Sequence, residues 1–179
     1  MTIEAPALIE LQTKIHQQNK DMGWWDNPRP FHTFVCLFHS ELSEAMEGDR
    51  KNLMDDHLPE YEMFWVEVAD FAIRCLDWLG SKNYEKYDFY IFERLSSKIE
   101  FLSQMHYQVS TALNLSKDPY FHDKENLPKS IAYAVSACFD FANVHQFDLL
   151  KVINEKVAYN AQRADHKREN RAAENGKKY

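Results

Sequence analysis

The sequence predicts an all-α protein, a helical bundle of five to six helices. Three observations carry that expectation. Apolar residues recur at three- and four-residue steps through successive segments, the spacing that places them on one face of a helix. Residues that punctuate turns are scarce, with four Gly and six Pro in 179 residues, whereas a sandwich or barrel of short strands needs many. Hydrophobic residues make up 45% of the chain and aromatics 14%, enough to fill one core at this length.

The elements follow in order. Residues 5–19 form a first amphipathic helix, with Leu8, Ile9, Leu11 and Ile15 towards one face. "DMGWWDNPRP" interrupts it with Gly23, Pro28 and Pro30, residues that favour a loop. A second helix spans about 31–48 on a stripe of Phe34, Val35, Phe38, Leu42, Ala45 and Met46. After "GDRKNLMDDHLPE" a third covers about 60–79, with Gly80 placed to stop it. Residues 84–115 are mostly helical in pattern, in one or two pieces, and "SKDPYFHDKENLP" is a loop. Further helices cover about 129–145 and 148–168. Residues 1–168 thus read as one helical domain with 84–127 as an insertion, and 169–179 as a polar tail.

Charge and cysteine usage restrict the function. A net charge of −7 offers no footprint for nucleic acid, which needs excess Lys and Arg. An acidic chain that handles anionic ligands requires metal ions or a local cationic patch. Cys36, Cys75 and Cys138 each sit in an apolar helical context and read as buried, reduced thiols. No signal peptide or membrane-spanning run is expected from the sequence, so the expected compartment is the cytoplasm.

The third helix poses the question that leads to function. In "YEMFWVEVADFAIRCLDWL" (61–79), the polar positions after Glu62 are Glu67, Asp70, Arg74 and Asp77. Steps of 3, 4 and 3 set them along one line of a helix. Either this seam faces water, with Arg74 pairing Asp70 and Asp77, or it is enclosed and its carboxylates need a cation or donors. The second helix carries "HSELSEAMEGD", with Glu41, Glu44 and Glu47 three apart. If the two helices pack antiparallel, Glu41 and Glu44 face Glu67 and Asp70. Four converging carboxylates repel one another, and hard divalent cations resolve the conflict. No histidine has Glu three residues before it, which argues against a di-iron bundle, and no His/Cys cluster suggests zinc. The oxygen-only set points to Mg²⁺ or Mn²⁺ and to phosphate chemistry.

With "ELSE" at 41–44 and "EVAD" at 67–70, the chain resembles the MazG-like all-α nucleoside triphosphate pyrophosphohydrolases. "GWWDNPR" at 23–29 and "EKVAYNAQRADH" at 155–166 add to the resemblance, which covers about 8–80 and 129–166. The resemblance implies hydrolysis of a (d)NTP between the α- and β-phosphates, giving the monophosphate and pyrophosphate. It implies Mg²⁺ held by Glu41, Glu44, Glu67 and Asp70. It also implies a water oriented or deprotonated by Glu41 or Glu44, and assembly as a homodimer or homotetramer. Glu47 stands outside the pattern as a candidate outer-shell or base residue.

Two further groups are candidates for substrate contact. Lys156, Asn160, Arg163 and Lys167 are spaced 4, 3 and 4 along the last helix. They form either a phosphate-gripping edge or basic residues that suit a helix C-terminus. With the resemblance, Lys156, Asn160 and Arg163 are expected to bind substrate. Trp24 and Trp25 are expected to stack on a base, one of them serving structure instead. The alternatives are a dUTP- or dCTP-specific pyrophosphatase of the same fold, and a non-catalytic nucleotide- or protein-binding module.

Overall fold

The computed structural model describes residues 3–87, 95–117, 125–171, 173, 176 and 177. Its elements are α1 (Ala5–Asp21), α2 (Phe31–Lys51), α3 (Met63–Ser81), α4 (Lys98–Lys117), α5 (Asn126–Val144) and α6 (Leu149–Gln162). A 3-10 turn at Ala164–His166 and a single helical turn, α7 (Arg168–Arg171), follow. Among the described residues the only β pairing is an isolated antiparallel bridge between Met54 and Glu62, which closes the loop joining α2 to α3.

The sequence of α3 makes it the central helix. Of its nineteen residues, only Met63, Asp70, Arg74 and Ser81 escape full burial. A helix that is apolar nearly all round must be surrounded, and α3 packs against α1, α2, α5 and α6. Its pairing with α2 is antiparallel. Gly48 meets Met63, Phe38 meets Phe71, and Phe31 meets Trp78. Helices α4 and α5 also run antiparallel, with Phe101 stacked on Phe141 at 4.4 Å and the Gln108 amide donating to Ser130 Oγ at 2.7 Å. Contacts of α2 with α4 and of α3 with α5 close a four-helix ring, and α1 and α6 cover the outer side of α3.

Several boundaries differ from the sequence expectation for identifiable reasons. Gly80 does not stop α3, which runs through Ser81. A Cβ on Gly80 would lie 2.6 Å from His16 Cβ, so the glycine is there to let α1 approach. Gly80→Ala is therefore expected to destabilise the fold by about 1–2 kcal/mol through overpacking, despite the better helix propensity of alanine. A lowered unfolding midpoint checks this. Tyr84–Tyr87 is not helical because it is strapped to α1. Gln12 Nε2 donates to the Tyr84 carbonyl at 2.9 Å and the Tyr87 hydroxyl donates to Gln12 Oε1 at 2.5 Å. Of the segment expected to be helical over 84–115, the described helix is Lys98–Lys117. Residues 88–94 and 118–124 of the segment read as an insertion lie outside the described residues. The final helix ends at Gln162 rather than near 168, because Arg163 turns extended and forks onto Asp165. Cys75 and Cys138 are buried, but Cys36 is exposed, as is Met46 at the edge of the α2 stripe.

Candidate functional site

The polar seam of α3 is enclosed. Glu67 and Asp77 are buried, and the Asp70 side chain keeps 17% of its exposure. The antiparallel pairing brings α2 over the first half of the seam, so Glu41, itself buried, reaches Glu67 and Asp70. Ligand oxygens of these three carboxylates lie within 4.8 Å of one another. Glu41 and Glu67 are close enough that each acts on the other's carboxyl.

Two cations and one proton make this cluster tolerable. Arg74, one turn beyond Asp70, donates its Nε to Glu41 Oε1 at 2.5 Å. Lys156 from α6 is almost fully buried and places Nζ 3.0 Å from Asp70 Oδ2. Burial first, and then the nearby charges of Asp70 and Glu41, push the Glu67 carboxyl up to about 9, with Lys156 working against them. Burial also raises Glu41, with Arg74 working against it. It pushes Asp70 up as well, and Lys156 offsets part of that push. For Lys156 burial favours the neutral amine, but Asp70 outweighs it and the net shift is upward. With Glu67 protonated, the two remaining carboxylates balance Arg74 and Lys156. A buried array of like charges needs this kind of compensation.

Glu44 lies outside the triad. It is exposed on the next turn of α2 and accepts a hydrogen bond from the Ser40 hydroxyl at 2.8 Å. Its charge still acts on Glu41 and Glu67. Glu47 pairs with Arg50 and Lys51 of its own helix. Asp55, in the α2–α3 loop, is a fourth buried carboxylate nearby. It accepts the amides of His57 at 2.9 Å and Leu58 at 2.8 Å, and its charge reaches both Asp70 and Lys156.

A cavity of about 260 Å³ opens beside the triad, lined by Arg29, Arg74, Arg163, Lys177, Asp70 and Asp77 among others. Asn160 and Trp24 line it too, whereas Lys156 is not a lining residue and is committed to Asp70. The two tryptophans differ in what they touch. Trp25 donates its indole N–H to Asp77 Oδ1 at 2.9 Å, where His16 Nδ1 also sits at 2.7 Å. Trp24 faces the cavity from beneath the Arg171 guanidinium, 3.5 Å from its ring centre. His166, also on the wall, is pushed down to about 4 by burial first and by Arg163 second, so it is neutral at pH 7.

The sequence pattern brought Glu41, Glu67 and Asp70 into view because two helices each presented carboxylates one turn apart. It missed Arg29, Asp55 and Lys177. These stand in loops or in the C-terminal segment, where helical spacing carries no information. Arg74 was visible in the seam, but its partner is Glu41 of α2 rather than a neighbour on its own helix.

No protein-family model matches the chain, and neither curated proteins nor solved structures give a match. Among the described residues no helix is long and apolar enough to cross a membrane.

Proposed function

We propose that the chain is a Mg²⁺-dependent nucleoside triphosphate pyrophosphohydrolase of the MazG-like type, cleaving a (d)NTP between its α- and β-phosphates. The observation that supports this reading is the meeting of Glu41, Glu67 and Asp70 beside a cavity with cationic walls. The donor set fits Mg²⁺ or Mn²⁺, since all three groups are carboxylates and such hard ions take oxygen ligands. When bound there, the metal supplies the positive charge that lets the carboxylates ionise together and offsets charge on a phosphate chain.

The chain's own residues have separable tasks in this reading. Glu41, Glu67 and Asp70 hold the metal. Lys156 fixes Asp70, and Arg74 fixes Glu41 while facing the cavity. Arg163 and Asn160 contact the phosphate chain from the far wall, and Trp24 offers a ring to the nucleoside. Glu44, the solvent-accessible carboxylate on the α2 turn after Glu41, takes the proton from the attacking water. Assembly is as a homodimer or homotetramer, which light scattering tests.

The assay is pyrophosphate release from a panel of (d)NTPs with Mg²⁺ and with chelator. Turnover is expected with Mg²⁺ alone and is expected to be lost in Asp70→Ala. Strong preference for dUTP or dCTP would mark the narrower enzyme. One observation favours the second reading, a non-catalytic nucleotide-binding module: Arg74, Lys156 and a proton on Glu67 already neutralise the triad. Nucleotide binding without turnover across the panel would select it.

A further inference from the structure

The cavity carries more cationic charge than its carboxylates use. Four cationic side chains line it, Arg29, Arg74, Arg163 and Lys177; Arg74 pairs with Glu41, Arg163 and Lys177 both pair with Asp165, and Arg29 has no ion pair among the described residues. Asp70 is engaged by Lys156, and Asp77 by Trp25 and His16. Arg29 lies over the Phe34 ring at 4.5 Å and the Trp25 ring at 5.1 Å. Its Nε is buried with no hydrogen-bond partner among the described residues. Arg74 uses its Nε on Glu41, and no described residue accepts from its two terminal nitrogens. Arg163 is half-committed, with one edge of its fork on Asp165. Asn160 Oδ1 is also buried without a partner, and rotating that amide by half a turn offers its NH₂ group instead.

A partly desolvated arginine with an unmet donor is costly unless an acceptor arrives. Arg29 is such a group, and Arg74, more exposed, brings a second guanidinium to the same cavity; together they match an anion with several oxygens, since planar forks pair with phosphate through two parallel bonds. The volume of about 260 Å³ falls below the ~300–1,000 Å³ usual for whole drug-sized ligands. It suits a phosphate chain, the part of a nucleotide that its cationic wall would engage.

We propose that this cavity is a metal-independent polyphosphate site, in which Arg29 and Arg74 bind the phosphate chain without any divalent cation and Arg163 and Asn160 complete the wall. The choice of anion rests on the nucleotide reading above, while the site itself rests on the cavity alone. Because Arg74 also holds Glu41, the anion and the carboxylate triad share one side chain.

The test is calorimetric titration of the full chain with inorganic tripolyphosphate in EDTA. Saturable binding at one site per chain is expected, weakened by about 10- to 100-fold in Arg29→Gln and in Arg74→Gln. Arg74→Lys should fall between, keeping charge but losing the fork. Absence of binding in EDTA, or unchanged affinity in both glutamine variants, overturns the proposal, as does sulfate binding as tightly as tripolyphosphate. Should the variants not fold, the wild-type chain still decides the matter. Tripolyphosphate in EDTA must shift the Trp24 and Trp25 indole N–H resonances, and unmoved resonances overturn the site. Binding in EDTA without Mg²⁺-dependent turnover of any (d)NTP keeps the site and removes the enzyme. Turnover without binding in EDTA does the reverse.

Discussion

At pH 8 and without divalent cation, Glu67→Gln raises the thermal unfolding midpoint, on the order of 10–20 °C for a chain of this size, and abolishes stabilisation by Mg²⁺. The first half follows from linkage. Glu67 titrates near 9 in the fold against about 4.3 for an unperturbed glutamate. A carboxyl raised in this way contributes its stabilisation fully below the unfolded value. That contribution is lost as pH climbs towards the folded value, because the unfolded chain releases the proton first. Between about pH 4.5 and 9 the wild type should therefore lose stability at up to ~1.4 kcal/mol per pH unit, or roughly 2–3 kcal/mol from pH 6 to pH 8. Glutamine never ionises, so its profile is flatter across that window.

The second half concerns the metal. A divalent cation that binds only the folded chain stabilises it by about 2.7 kcal/mol at 100 times its dissociation constant. That gain should grow with pH in the wild type, because binding must displace the Glu67 proton. Thermal melts of both proteins from pH 5 to pH 9, with and without Mg²⁺, decide the point. Parallel profiles, or equal stabilisation of both by Mg²⁺, would show that Glu67 is neither the titrating group nor a ligand.

What the sequence could say about this site divides along physical lines. Helix α3 was legible because its seam conflicts with its surroundings. Glu67, Asp70, Arg74 and Asp77 fall on one line among apolar residues, and a helix that apolar must be enclosed. "ELSE" in α2 was legible for the same reason, with helical spacing turning a short string into a direction. Spacing also over-promised. Glu44 lies on the α2 turn after Glu41, yet it faces solvent and Ser40 while Glu41 faces the triad. The cavity walls were not legible, because residues far apart in the chain make them. Arg168 Nη2 donates to the Lys20 carbonyl at 3.1 Å and Arg171 Nη1 to that of Met22 at 3.2 Å. These contacts fold the C-terminal segment back onto the loop that carries Trp24. Neither Gly nor Pro marks the helix end at Gln162, and the Arg163–Asp165 fork that accompanies it is a short-range ion pair with no sequence signature of its own.

Lys156 illustrates how geometry redirects a residue's expected role, and its loss should be strongly destabilising. Placed on the last helix with Asn160 and Arg163, it reads as a cation for phosphate. In the fold it is almost fully buried, with Nζ on Asp70 and the carboxyl groups of Asp55 and Glu67 close by. Removing one member of a buried ion pair strands the other, at a cost of about 3–5 kcal/mol. Lys156→Met should therefore lower the unfolding midpoint by on the order of 10 °C in the absence of metal. Three dependences separate this role from substrate binding. Asp70→Asn in the same chain should restore much of the loss, because the stranded carboxylate is then neutral. Acidic pH should restore part of it, since protonating Asp70 has the same effect. Mg²⁺ should stabilise Lys156→Met more than the wild type, because the ion supplies the missing positive charge to Asp70, Glu67 and Glu41 together. A Lys156→Met protein with wild-type stability and only a raised KM for nucleotide would return the residue to the phosphate chain and leave Asp70 to be balanced by Arg74 alone.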